Sequence, residues 1–463
     1  MSIIATFSVP HPPLIVPEVG RGGENQVIKT IESYREVARR IAELKPETII
    51  ISSPHSIMYS DYFHISPGSS AKGSLASFRA PSVTFSEKYD TELVNKICEL
   101  ADKEDLSAGT LGERDPELDH GTMVPLYFIE QEYKDFELVR VGLSGLSLPD
   151  HYRLGSIIAR AVNDTGRKAV YVASGDLSHK LQEHGPYGFA PEGPEYDRRI
   201  MEVLSSASFD KLFDFSDDLC NKAAECGHRS FVIMAGAFDG IKVRAEELSH
   251  EDVTGVGYGI CCFYPEGKDE GRRFLEARLD SSRSALEQKK TNADPYVKLA
   301  YDTVNAYINN GKKIGIPDGL PDSMLNEKAG AFVSIHEHGM LRGCIGTILP
   351  VTGCVASEII QNAISASTRD PRFSPIKKEE LPYLEISVDV LMAPEDIDSP
   401  DELDVKKYGV IVYNEYKRGL LLPDLEGVDT VEEQIDIARR KAGIGADEPY
   451  SLQRFEVIRH EMG

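Results

Sequence analysis

Residues 3–18 read IIATFSVPHPPLIVPE, and the change of character at Pro10 decides how the chain begins. Six of the first seven residues are apolar or β-branched, as suits a strand. Pro10, Pro12, Pro13 and Pro17 then follow within eight residues. Proline lacks a backbone N–H and fixes φ, so that run is expected to be neither helix nor central strand. His11 is therefore held in a stiff loop at a strand's carboxyl end. Working outward, QVIKTIESYREVARRIAELKP (26–46) has the apolar spacing of an amphipathic helix, and ETIIISSP (47–54) reads as a short buried strand. Strands FELVRVGLS and KAVYVASG, helices HYRLGSIIARAVNDTG and RSFVIMAGAFDGI, and a last strand GVGYGICCFY continue the alternation to residue 264. That order predicts an α/β domain over 1–264 with a largely parallel sheet.

With 463 residues the chain exceeds a single core, so two or three domains are expected. Residues 265–293 are highly charged and weakly apolar and read as a linker, helical in part. From DPYVKLAYDTVNAYI onward, residues 294–463 read as a smaller α+β domain, with strands such as AGAFVSIHE and YLEISVDVLM. Fifty-one basic against 75 acidic residues give a net charge of −24, which argues against nucleic-acid backbones as partners. No apolar run approaches the ~20 residues of a membrane span, and the N-terminus lacks the pattern of a signal peptide. Seven scattered cysteines with no CxxC pair read as reduced thiols in a cytoplasm and not as a thiolate zinc site.

Histidines recur where strands end. His55 follows ETIIISSP, His179 follows KAVYVASG, and His120 lies in PELDHGTMVPL. In an open α/β sheet ligands bind outside the carboxyl ends of the strands, so His11, His55 and His179 are placed to converge. One such histidine alone reads as a capping or hydrogen-bonding residue; four in Pro- or Gly-flanked loops point to a metal. A carboxylate beside two histidines would leave three positions open, which suits Fe(II) and oxygen. Glu225, in NKAAECGHRSF, is the candidate donor. It reads equally well as a first-turn glutamate interacting with a helix dipole.

Together HPPLIVPEVG, SPHS, LDHGTMVPL, SGDLSHKL, ECGHRSF and GVGYGICCF resemble the class III extradiol ring-cleavage dioxygenases, in order along residues 1–264. The resemblance implies Fe(II) held by His11, His55 and Glu225, with O2 as co-substrate. It makes His179 the acid/base residue and His120 a group near substrate and oxygen. It also implies a small catechol- or aminophenol-like aromatic substrate and a homo-oligomer. Asp176 stands where ring-cleaving relatives often carry a second glycine, so it is a candidate contact to an unusual substrate. The motif around it is also similar to the Memo family, which shares the fold without established ring cleavage. Memo proteins carry cysteine as the matching ligand, which makes Cys226 the other candidate.

Farther on, MLRGCIGTILP sets Cys344 after Arg342 and Gly343, and STRDPRFSP supplies Arg369, Asp370 and Arg372. An adjacent arginine would favour a reactive thiolate. The plainer reading is a glycine-kinked strand with a small thiol and a turn with paired charges. LRGCIG, DPRF and GLLLP together resemble the AMMECR-type domain, which implies an α+β fold with a cleft near the hexapeptide. Fusion of two such halves is similar to proteins of the AmmeMemoRadiSam system, implying Memo-like and radical-SAM proteins as partners. The expected function is extradiol cleavage; its rival is a Memo-like metal-binding or scaffold role.

Overall fold

Strand β1 (Ile3–Val9) is buried along nearly its whole length, as a strand in the middle of a sheet must be. The proline run after it, expected to hold no helix, forms one turn of 3-10 helix at Pro13–Ile15 and one of α-helix at Pro17–Gly20. Both begin with proline, whose missing N–H costs nothing at the first helical position. The computed structural model describes residues 3–337, 340–425 and 427–462. It divides into two compact units, Met1–Arg278 and Leu279–Gly463.

In the first unit β1 is followed by α1 (Ile28–Leu44), β2 (Thr48–Ser53), the ribbon β3 (Ser70–Leu75) and β4 (Ala80–Lys88), and α2 (Thr91–Lys103). Next come α3 (His120–Glu132), β5 (Glu137–Gly142), α4 (Leu148–Thr165), β6 (Ala169–Ser174) and α5 (Glu192–Ser206). Helix α6 (His228–Gly236) and strands β7 (Ile241–Glu251) and β8 (Tyr258–Lys268) complete it. The sheet order is β5-β2-β6-β1-β8-β7. β5, β2, β6 and β1 are parallel, so their carboxyl ends share one edge. β8 runs antiparallel to β1, and β7 antiparallel to β8. The sheet is therefore mixed rather than largely parallel. β7 and β8 form a hairpin, and a short turn cannot return a chain parallel to itself. β7 is a charged edge strand, IKVRAEELSHE, without the apolar signal that marked the others.

Two close approaches fix the site's surroundings. A Cβ at Gly155 in α4 would lie 1.9 Å from the Ile233 carbonyl oxygen of α6, and one at Gly236 would lie 1.9 Å from the Tyr152 oxygen. The two helices thus cross backbone to backbone. A Cβ at Gly175 would sit 2.1 Å from the Cα of Gly227, so the chain after β6 touches the chain before α6.

The charged stretch 265–293 holds the end of β8 and helix α7 (Phe274–Asn292), within which the two units divide. In the second unit come α8 (Pro295–Asn310), β9 (Gly330–Glu337), β10 (Met340–Gly346), α9 (Val355–Thr368), β11 (Leu384–Leu391) and β12 (Glu395–Ile397). β13 (Tyr408–Tyr413), β14 (Arg418–Leu421), α10 (Val431–Ala442) and β15 (Ser451–His460) follow. The sheet is antiparallel, in the order β10-β9-β11-β15-β13-β14, with β12 paired to β15. Val304 of α8, Ile359 and Ala363 of α9 and Val333 of β9 share one apolar core; Ala438 of α10 with Val410 and Leu421 belongs to another.

Candidate metal centre

Register carries the histidines to one place. Val9 of β1 pairs with Ser174 of β6, so His11 lies just beyond the strand ends, buried to 2% exposure. Its backbone N–H donates to Asp176 Oδ1 at 2.7 Å, and its ring Nδ1 is 2.9 Å from Ser174 Oγ. Ser174 in turn donates to the Gly121 carbonyl at 2.6 Å. That carbonyl needs the hydroxyl, because its helical partner four residues on is Pro125, which has no N–H to give. With the serine proton committed there, Oγ accepts from His11 Nδ1–H. Nε2 of His11 is then left with a bare lone pair.

That lone pair faces the other candidates. His55 Nε2 lies 3.0 Å away, and Cys226 Sγ lies 3.7 Å away. Desolvation of its inner face, with His11 and His120 beside it, pushes the exposed His55 down to about 4, so it is neutral near pH 7. Burial likewise lowers His11. His120 opens α3 behind its cap Asp119, with its ring 4.0 Å from that of His55 and 5.3 Å from that of Phe78.

Cys226 is brought in by the Gly175–Gly227 contact. Its Sγ accepts the Asp176 N–H at 3.3 Å and lies 3.8 Å from the Asp176 carbonyl. Desolvation pushes the thiol well above its usual value. His11, His55 and Cys226 each offer a donor atom within 4.8 Å of the others, as do Asp176, His179 and Cys226. Burial pushes the Asp176 carboxyl up, but His11 and His179 more than offset this and leave it low. His179 shows the converse: desolvation lowers it, Asp176 raises it more, and the net is upward. Its ring lies 5.0 Å from that of Tyr187.

Glu225 is placed differently from the expectation that made it a ligand beside His11 and His55. Its Oε2 accepts the His228 N–H at 2.6 Å and faces Tyr196 Oη at 3.4 Å. It closes the open N-terminus of α6, where backbone N–H groups lack helical partners. Desolvation pushes it up to about 7. Of the two adjacent residues, the thiol faces the histidines and the carboxyl faces the helix.

The donor set fits a transition metal: two neutral imidazoles, one with its tautomer fixed, and a sulfur supported by a backbone N–H. Ser174 was not singled out from the sequence. The signal that would have found it is a proline four residues after Gly121 on a helix beginning at a candidate histidine. Ser174→Ala is expected to weaken metal binding about 10–100-fold, as for other groups that orient a ligating histidine. Competition against a chelator measures it.

In the second unit Cys344 lies on β10 opposite Ser334 of β9, which donates to its Sγ at 3.2 Å. Arg342 does not approach the thiol. It pairs with Glu380 at 2.6 Å and donates to the Ser374 carbonyl. Asp370 accepts the Cys344 N–H at 2.9 Å and both arms of the Arg372 fork, which holds its carboxyl well below the usual range. Arg369 ends α9, its N–H donating to the Ser365 carbonyl. Gly343 is required because a Cβ there would be 2.2 Å from the Ala366 carbonyl of α9. Strand packing and a charged turn account for this hexapeptide.

The family model described as the catalytic LigB subunit of aromatic ring-opening dioxygenase matches residues 5–261, and the AMMECR1 model matches residues 297–461. A Clostridium acetobutylicum protein is 42% identical over 478 residues, covering 100% of both chains. A Thermotoga maritima protein is 49% identical over 169 residues, 36% of this chain and 97% of its own. A solved structure of an uncharacterized Pyrococcus horikoshii protein is 32% identical, covers 35% of this chain and 88% of its own, and has a TM-score of 0.33. The two halves, the strand-end histidines and an alignment along the whole chain agree: the protein belongs to the family of the catalytic LigB subunit of aromatic ring-opening dioxygenase, continued by an AMMECR1 domain.

Proposed function

We propose that the N-terminal domain is a Memo-like metalloprotein that holds a transition-metal ion on His11, His55 and Cys226. The supporting observation is that Cys226 Sγ, and not the Glu225 carboxylate, stands 3.7 Å from His11 Nε2. A thiolate in place of the carboxylate softens the donor set toward copper, zinc or iron. The bound ion would supply Lewis-acid or one-electron chemistry. The chain's own groups do the rest. His179, lowered by burial and raised more by Asp176, is the candidate proton donor beside the ligands. The rings of Phe78 and Tyr187, against His120 and His179, favour a small flat aromatic substrate.

A second reading is Fe(II)- and O2-dependent extradiol cleavage of a catechol- or aminophenol-like compound. The His55–His120 ring contact and the position of Glu225 one residue from Cys226 favour it. Memo-like and radical-SAM proteins remain the proposed partners in either case, and the full-length match to a two-domain clostridial protein supports treating both halves as one unit. Among the described residues no helix is long and apolar enough to cross a membrane. The cytoplasmic location is proposed from the scattered, unpaired cysteines of the sequence.

The test is the metal content of protein purified without oxygen, followed by oxygen uptake with a panel of catechols and aminophenols. Bound metal with no uptake on any compound supports the Memo-like reading. About one iron per chain with uptake and a coloured ring-opened product establishes the dioxygenase and overturns it.

A further inference from the structure

We infer that Asp197 is a positioning residue for His179, fixing the segment after β6 that carries it, and that a protonated His250 keeps Asp197 in its seat. This rests on the reading of His179 as the proton donor and adds how that group is held and what releases it.

From the end of β6 to His179 each backbone N–H is bound by another part of the fold. Gly175 donates to the Val9 carbonyl at 2.9 Å, Asp176 to Cys226 Sγ at 3.3 Å, Leu177 to the Gly257 carbonyl at 2.9 Å and His179 to the Ala223 carbonyl at 3.1 Å. The Ser178 N–H meets a charge instead: Asp197 Oδ1 of α5 accepts it at 2.8 Å. Hydrogen bonds to an ionised acceptor are roughly twice as strong as neutral ones. Asp197 is buried to 3% exposure. Gly257 makes room for it, because a Cβ there would lie 1.9 Å from Asp197 Oδ2. The Gly257 N–H also donates to the Ser178 carbonyl at 2.8 Å, so one glycine seats both the carboxylate and the segment it holds.

A carboxylate taken out of water needs a cation beside it. His250 of β7 supplies one, with Nε2 3.2 Å from Asp197 Oδ2 and 31% of its side chain exposed. Burial pushes the Asp197 carboxyl up, and His250 and the Ser178 N–H pull it back only in part. The hydrogen bond from His250 to Asp197 outweighs desolvation of the ring and raises His250, with Glu247 and Asp252 adding to the rise. From α1, Lys29, Glu32 and Glu36 line the groove that His250 shares. As pH climbs through the elevated midpoint of His250, Asp197 becomes a lone buried charge. Its seat then opens toward water and the Ser178 N–H is let go. Below that midpoint the segment is locked, in the range where Asp176 holds His179 upward. His179 is thus positioned and charged together.

The experiment is hydrogen–deuterium exchange of the full chain as purified, followed by mass spectrometry on a peptide covering residues 175–181 across a pH series. Rates are divided by those of the isolated peptide, which removes the intrinsic dependence on pH. Wild type is expected to lose protection by about 10–100-fold as pH rises, the worth of a hydrogen bond to a charged group. The midpoint should lie above the ~6.5 of a free histidine. His250→Lys, cationic throughout, is expected to keep the low-pH protection over the whole series, and His250→Gln to show the high-pH value throughout. Asp197→Asn still accepts the Ser178 N–H and is expected to show no pH step. A flat wild-type profile overturns the inference, as does a step that survives in His250→Lys or Asp197→Asn. If Asp197→Asn does not fold, wild type and His250→Lys decide. Exchange requires neither metal nor turnover, so a flat profile leaves the metal assignment standing. Protein that retains no metal would instead sink the reading of the cleft, a result distinct from a flat profile.

Discussion

Cys226→Ala is expected to strip the metal from the purified protein, while Glu225→Gln retains it. Loss of one of three ligands should weaken binding beyond the ~100-fold ceiling for groups that merely orient a ligand. Glutamine keeps an oxygen for the His228 N–H, so the start of α6 stays closed. Metal analysis of both variants, purified side by side, decides the matter. Metal lost from Glu225→Gln and kept by Cys226→Ala would return the ligand role to the carboxylate. A pH measurement on metal-free protein accompanies it. Desolvation raises Glu225 from 4.5 to about 7 in the folded chain, so the folded state binds this proton more tightly than the unfolded state does. The contribution to stability is complete below about 4.5 and is lost as pH rises through about 7. Glu225→Gln should remove that component of the pH dependence of urea unfolding.

Gly155→Ala should be among the costliest added methyl groups in the first unit. Helix propensity alone favours alanine in a helix interior by about 1 kcal/mol. Here the added Cβ would fall 1.9 Å from the Ile233 carbonyl oxygen, and backbone cannot rotate away as a side chain can. Overpacking of this kind costs about 3 kcal/mol, which for a unit of this size lowers Tm by about 6–10 °C. Thermal unfolding followed by circular dichroism measures it. An unchanged or raised Tm would mean that α4 and α6 do not cross as closely as the structure has them. Because α6 begins two residues after Cys226, the same variant should also lower metal affinity.

What could be read in advance followed from local chemistry. His11 and His55 were legible because prolines mark the ends of their strands, and parallel strands deliver their ends to one edge. Which of Glu225 and Cys226 faces that edge was not legible. Neighbouring side chains at a helix start point in different directions, and the choice was made by the distant contact between Gly175 and Gly227. β7 escaped notice because an edge strand facing water needs charge more than apolar alternation. The likeness to AMMECR-type domains located the second unit. It did not reveal that Gly343 is there to admit the Ala366 carbonyl, or that Arg342 is engaged by Glu380.

The donor atoms come from far-separated points of the chain: His11 lies 44 residues from His55 and 215 from Cys226. A nascent chain exposing only its first strands offers the ion isolated histidines, each a weak ligand. Closing so long a loop costs entropy that only the completed sheet can offset. An ion bound as proposed would therefore be acquired late, after the whole first domain has left the ribosome. On that reading chain fragments and folding intermediates would not compete for metal, and a site that fails to load would report a domain that has not finished folding.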